Sequence, residues 1–203
     1  IICTPEQIDG EILRVLDFSL NLLRGFGFEE FRFDLSVRDP ATPDKYAGSD
    51  EMWQQAEASL ARALKARDLP FERMEGEAVF YGPKIDIHIK DALGRTWQCG
   101  TIQVDFAMPE RFDLKYVDSD GTEKRPVMIH RAILGSVERF FGVMLEHFGG
   151  NLPPWLAPQQ VRVLPITDSL NSYAEEVCSE LRSHGLRADV DRRSEKLGYK
   201  IRD

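Results

Sequence analysis

Between Lys84 and Phe106 the chain reads Lys-Ile-Asp-Ile-His-Ile-Lys-Asp, then Ala-Leu-Gly-Arg, then Thr-Trp-Gln-Cys-Gly-Thr-Ile-Gln-Val-Asp-Phe. Few patterns restrict a fold more tightly. An extended chain sends successive side chains to opposite faces, so Ile85, Ile87 and Ile89 share one face while Asp86 and His88 share the other. Ala92-Leu93-Gly94 turns the chain back, which makes the two runs a hairpin and the sheet antiparallel at least here.

The second run departs from clean alternation. Gln98, Cys99, Gly100, Thr101, Gln103 and Asp105 place hydrogen-bonding groups where a half-buried strand would carry apolar ones. A polar side chain on a buried face must find a partner, and Gly100 suits close approach of a backbone or a ligand. Two readings stay open: the solvated side of a one-sided sheet, or the floor of a binding site. The preceding Tyr81-Gly82-Pro83-Lys84 reads either as an ordinary turn or as part of that site.

The rest of the chain supplies elements to cover such a sheet. Thr4-Pro5-Glu6-Gln7 has a capping box with Pro at the first helical position, and apolar residues recur at helical spacing from Ile8 to Leu23. Phe31, Phe33, Leu35 and Val37 alternate with polar residues, predicting a strand with one buried face. A Pro/Gly/Asp-rich loop from Arg38 to Gly48 is long enough to be a binding loop. Ser49 caps a second helix running to about Arg67. Gly149-Gly150 and the prolines after it mark a linker. We therefore expect one domain over 1–152 and a second over 153–203, where strand, helix and strand follow in β-α-β order as in a small α/β unit.

Residues 126–139, Pro-Val-Met-Ile-His-Arg-Ala-Ile-Leu-Gly-Ser-Val-Glu-Arg, run from a strand carrying His130, through a Gly-Ser break, to a helix with Arg139 in its first turn. A helix N-terminus already carries partial positive charge, so Arg139 works against the dipole. Either its head swings into solvent or to Glu138, or an anion sits between guanidinium and N–H groups and is held by both. His130 has no second His or Cys at ligand spacing, so a metal ligand and a simple strand histidine both stay open.

The net charge of −8 argues against sequence-blind nucleic-acid binding. A local basic cluster (Arg187, Arg192, Arg193, Lys196, Lys200 and Arg202) is either a solvated face or an RNA contact. The three cysteines form no C-x-x-C pair and suit a reducing cytoplasm. No signal segment or apolar run near membrane-spanning length is present, so no membrane partner is expected. The chain opens without Met and stops inside a charged segment, which reads as a fragment of a longer protein.

Taken together, Ala47-Gly-Ser-Asp-Glu-Met-Trp53, Phe80-Tyr-Gly-Pro-Lys-Ile85, Trp97-Gln-Cys-Gly-Thr101 with Gln103, Asp105 and Phe106, the 126–139 motif and Trp155-Leu-Ala-Pro158 resemble the threonyl-tRNA synthetase family of class II aminoacyl-tRNA synthetases. The resemblance runs in order along essentially the whole chain. It implies an α/β fold: a six- or seven-stranded antiparallel sheet flanked by helices, then a partial α/β anticodon-binding domain. It implies that Arg139 is catalytic and contacts the ATP γ-phosphate, that Gln98 meets ATP, and that Thr101, Gln103, Tyr81 and Lys84 lie by the amino acid. His130 resembles one of three ligands of a catalytic zinc, the others lying upstream of Ile1 with motifs 1 and 2. The implied partners are L-threonine, ATP with Mg²⁺, tRNA(Thr) and a second subunit in a homodimer. The implied reaction is threonine activation followed by transfer to the tRNA 3′ end, with the isolated fragment inactive. The alternative is a synthetase-like paralogue that binds nucleotide, amino acid or RNA without ligating them.

Overall fold

The computed structural model describes residues 1–202 and divides into two compact units, Ile1–His147 and Phe148–Asp203. In the first, chain order gives β1 (Ile2–Cys3), α1 (Ile8–Gly25), β2 (Phe31–Val37), α2 (Asp50–Lys65), β3 (Phe71–Glu75), β4 (Lys84–Lys90), β5 (Thr96–Asp105), α3 (Ala107–Arg111), β6 (Tyr116–Val117), β7 (Glu123–Lys124), β8 (Val127–Ala132) and α4 (Val137–Phe148). Six strands make one sheet in the order β1-β8-β5-β4-β2-β3, and β6 and β7 form a separate small hairpin.

The sheet is antiparallel except at one edge, where β3 lies parallel to β2 with Phe71 opposite Phe33. Parallel neighbours need a crossover, and α2 provides it. The sequence does not announce β3, because Phe71-Glu-Arg-Met-Glu is short and mostly polar.

The helices cover one face. Ile12, Leu16 and Leu23 of α1 and Trp53, Leu60 and Leu64 of α2 are fully buried, as are Leu35, Ile85, Ile87, Ile89, Ile102 and Ile129 of the sheet. Helix α1 packs on β5 and β8, helix α2 on β2 and β4, and the two helices on each other. Ion pairs from Arg62 to Asp9 (2.8 Å) and from Arg67 to Asp17 (2.7 Å) lace the helices at the rim. The capping box at Thr4 forms as expected, leading through one 3₁₀ turn into α1.

One irregularity positions everything that follows. The β4–β5 ladder shifts register between Ile87 and His88, so Ile87 faces Gly100 while His88 faces Gln98, leaving Cys99 as the extra residue. Gln98 and Thr101 are an odd number of residues apart and would fall on opposite faces of a regular strand. The bulge puts both on the same face, opposite His88 and Asp86. Gly100 makes room for it: a Cβ there would lie 3.1 Å from the Ile87 side chain.

In the second unit β9 (Val161–Val163), α5 (Asn171–Ser183) and β10 (Ala188–Val190) form the expected parallel β-α-β, followed by the short α6 (Leu197–Lys200). Its core is Ala174, Cys178, Ala188 and Val190, with Val161, Val163 and Leu181 packed against it. Among the described residues no helix is long and apolar enough to cross a membrane.

Candidate active site

The sheet face away from α1 and α2 is polar across its width. Register sets Arg32, His88 and Gln98 in one row, Asp34, Asp86, Thr101 and Ala132 in the next, and Ser36, Lys84, Gln103 and His130 in a third. Alternation predicts a single buried face for β2, yet Asp34 and Ser36 are buried as well. Their cover is this layer of neighbouring polar side chains.

Asp86 is the hub of the layer, and sequence reading alone passed over it. Its Oδ1 accepts from Gln98 Nε2 (2.5 Å) and Thr101 Oγ1 (3.0 Å). Its Oδ2 accepts from Ser36 Oγ (3.0 Å) and pairs with the Lys84 ammonium. Lys84 also donates to Ser36 Oγ at 3.2 Å. The polar groups of β5 therefore find partners within the protein, and Lys84 commits its charge to the floor. Gln98 is exposed and Thr101 half-buried above that floor. The signal for Asp86 was a carboxylate in line with the polar strand opposite, but reading it needs the bulge.

Tyr81 stands at the edge of the same face, on a loop held close to β5. Val104 N–H donates to Pro83 O at 3.1 Å, and Gln103 Nε2 donates to Gly82 O at 3.4 Å. A Cβ on Gly82 would fall 1.7 Å from Val104 O, so only glycine lets the loop approach this closely. The Tyr81 ring meets the His130 ring edge-on at 6.2 Å. His130 in turn places Nε2 2.8 Å from Oδ2 of the fully buried Asp105.

The loop into α4 lies on the bulge. Gly135 has φ of +62°, and a Cβ there would come within 3.2 Å of Cys99 O. Ser136 then caps α4, its Oγ accepting the Arg139 N–H at 3.3 Å and donating to Glu138 at 2.9 Å. Arg139 neither pairs with Glu138 nor hangs free: its guanidinium lies 5.4 Å from the centre of the Trp97 ring. Trp97 is steadied by its indole N–H to Asp91 Oδ2 (2.9 Å). An exposed arginine resting on an aromatic face at a helix start is available to an anion at small cost.

Cys99 is buried behind Gln98. Burial pushes its thiol up to about 11, against a smaller pull from Arg139. Among the described residues no group of three His, Cys, Asp or Glu gathers to hold a metal.

The basic cluster of the second unit is not one surface. Lys200 is buried, donating to Pro165 O (3.3 Å) and Asp191 O (3.1 Å). Arg187 binds the carbonyls of Ala157 (2.9 Å) and Trp155 (2.7 Å), while Arg193 pairs with Asp191 (2.6 Å) and Arg192 with Glu175. These side chains hold their own unit together. That contradicts an RNA contact through Lys200 and narrows the candidates to the exposed heads, Lys196 and Arg202 among them.

The first unit is thus a six-stranded sheet with helices on one face, a polar layer on the other, and a helix start that carries Arg139. The chain belongs to the class II tRNA synthetases: residues 1–148 match the family described as tRNA synthetase class II core domain (G, H, P, S and T), and residues 160–203 match the anticodon binding domain. Within that class the chain is similar to threonine–tRNA ligases. The threonine–tRNA ligase of Finegoldia magna is 53% identical over 203 residues, all of this chain and 31% of that protein. The chain thus spans about a third of the length of the curated relatives it matches. The structure titled as the RNA binding domain of threonyl-tRNA synthetase from Cryptosporidium parvum Iowa II superposes with a TM-score of 0.90 at 44% identity, covering 100% of this chain and 50% of that one. The putative threonyl-tRNA synthetase ThrRS-1 of Aeropyrum pernix follows with a TM-score of 0.83 at 31% identity, covering 100% and 48%.

Proposed function

We propose that this chain forms the motif 3 half of a threonine–tRNA ligase active site, followed by the first part of its anticodon-binding domain. The observation that carries the reading is the convergence, on one sheet face, of Gln98, Thr101, Gln103, Tyr81 and His130, with Arg139 at the rim. In this reading the threonine carboxylate attacks the ATP α-phosphorus and pyrophosphate leaves; a ribose hydroxyl at the tRNA 3′ end then attacks the threonyl-adenylate carbonyl and AMP leaves.

Little covalent chemistry is asked of the side chains; they position groups and stabilise charge. Arg139 leaves Trp97 for the γ-phosphate and holds the leaving pyrophosphate while Mg²⁺ accompanies the nucleotide as part of the substrate. Gln98, aimed by Asp86, meets ATP. Thr101, Gln103 and Tyr81 bound the amino-acid side, and Lys84 keeps the Asp86 hub neutralised beneath them.

His130 fits as one imidazole ligand of a zinc ion: it is part-exposed on the substrate face and backed by a carboxylate, the usual surroundings of a ligating histidine. The other donors would come from outside these 203 residues. A zinc ion held there in part by His130 would supply a Lewis acid toward the polar groups of the substrate. That makes the missing hydroxyl of valine costly, where an apolar pocket would discriminate only modestly. We place the reaction in the cytoplasm, with tRNA(Thr) as partner and a homodimer as the working assembly.

The test is threonine-dependent ATP–pyrophosphate exchange by the full-length protein that carries this chain, with Arg139→Ala beside it. Exchange above background, falling about 10²–10³-fold in the variant, is expected for a lost charge-stabilising contact. No exchange in the parent overturns the ligase reading, and near-normal single-turnover rates in the variant make Arg139 structural.

A further inference from the structure

We propose that Asp105 is the positioning residue for His130: it fixes the imidazole as the Nε2–H tautomer and reserves Nδ1 for the ligand. The inference rests on the zinc reading above.

Asp105 ends β5, its carboxylate fully enclosed. Its Oδ1 accepts the backbone N–H groups of Ala107 and Met108, both at 2.9 Å, at the start of α3. Two fixed donors on one oxygen leave the group no freedom to turn, and Oδ2 then sits 2.8 Å from His130 Nε2. A carboxylate has no proton to give, so Nε2 must donate. The neutral ring then carries its lone pair on Nδ1, which has no hydrogen-bond partner among the described residues. A ring nitrogen's protonation is set by the bond its other nitrogen makes, and backing carboxylates typically change metal affinity by about 10–100-fold.

The same sheet face provides the contrast. His88 Nε2 lies 3.0 Å from Asp34 Oδ2, but off the line of a hydrogen bond, and Asp34 is also gripped by Arg32 at 3.1 Å. Nothing there selects a tautomer. Both histidines have a firmly held acidic neighbour; only the one beside His130 is aligned for a hydrogen bond.

Asp105→Asn is the informative variant, because its carbonyl still accepts from α3 while its NH₂ turns a donor toward Nε2 and drives the ring to the opposite tautomer. In the full-length protein, zinc affinity is measured by chelator competition for the parent, Asp105→Asn, His130→Ala and the double variant, with a thermal melt of each. We expect Asp105→Asn to weaken zinc by about 10–100-fold, and the double variant to bind no worse than His130→Ala. An affinity within twofold of the parent, or losses that simply add in the double variant, overturns the proposal; so does a lowered melt with zinc affinity intact, which would make Asp105 only a cap for α3. Ring ¹⁵N shifts of His130 in the metal-free parent decide independently, should the variant not fold: Nε2–H supports the proposal and Nδ1–H sinks it. A parent that binds no zinc refutes the zinc reading, while the tautomer measurement still judges Asp105.

Discussion

The two faces of the central sheet are built by the same strands and obey different rules. Toward the helices, Leu35, Ile85, Ile87, Ile89, Ile102 and Ile129 are sealed from solvent. On the other side, Asp34, Ser36, Asp86 and Gln103 are almost as buried, but each is held by directional bonds. The apolar face draws its stability from area and shape, which tolerate small shifts. The polar face depends on alignment, and a bonded layer that loses one member leaves others unpaired. One side therefore answers to stability assays and the other to kinetics, and variants can pull the two apart.

The largest effect is expected where the apolar face is cut. Ile87 is fully buried opposite Gly100. Ile87→Ala removes its contacts and leaves a cavity, costing about 2–5 kcal/mol. Urea titration should show that loss in full, while threonine activation per folded molecule stays within about twofold, on the order of 0.4 kcal/mol. A collapse of activity at preserved stability would mean that the bulge, rather than the core, depends on Ile87.

Asp86→Asn should do the reverse. The amide keeps one acceptor where the carboxylate has two, so either the Ser36–Lys84 side or the Gln98–Thr101 side meets a donor. The stability cost is about 1–3 kcal/mol, set by the polar groups left unpaired. The kinetic cost should be proportionally greater than for Ile87→Ala: about tenfold in kcat/KM for ATP and threonine, or about 1.4 kcal/mol. Unchanged kcat/KM would show that Gln98 and Thr101 do not depend on their hub for aim.

These two positions also mark how far the sequence can be read. The isoleucines of β4 and the helical run of α1 were legible because each is long, periodic and locally determined. The polar face was half legible: Gln98, Thr101, Gln103, His130 and Arg139 stood out as residues of the wrong kind for a core strand or a helix start. Asp86 did not, since in a strand it looks like an ordinary polar alternate, and Asp105 stood out only as one more polar group of β5, with nothing to mark His130 as its partner. Their roles arise from the register shift at Cys99 and the turn into α3, and neither is visible before the strands are paired. Strand β3 escaped for a different reason: its polar residues hide a pairing that only the crossover through α2 explains. The zinc reading of His130 came by resemblance, because among the described residues no group of three His, Cys, Asp or Glu gathers around it.

The smallest expected effect joins the two faces at their common turn. Asp91 closes the β4–β5 hairpin with its carboxylate enclosed, Oδ1 accepting from the N–H groups of Leu93 (2.9 Å) and Arg95 (2.8 Å), and Oδ2 from Trp97 and the Arg95 guanidinium. Burial alone would push its pKa up, but the hydrogen bonds from Trp97, Arg95 and Leu93 outweigh it and hold the group at about 2, below the ordinary value of 3.8. A carboxylate depressed by folding stabilises the folded state above its unfolded pKa, and that contribution fades as pH falls through the folded one. Wild type should thus be more stable than Asp91→Asn at pH 5, with the gap closing between about pH 4 and pH 2. Taking the difference between the two proteins in urea titrations removes the other carboxylates that protonate in the same window. Parallel stability curves across it would mean that the Asp91 bonds contribute nothing specific to the charged form. Because Trp97 is both the partner of Asp91 and the surface on which Arg139 rests, the variant should also slow adenylate formation slightly at neutral pH, by less than Asp86→Asn does. A larger slowing would mean that the hairpin turn, and not the Asp86 hub, sets the alignment of the polar face.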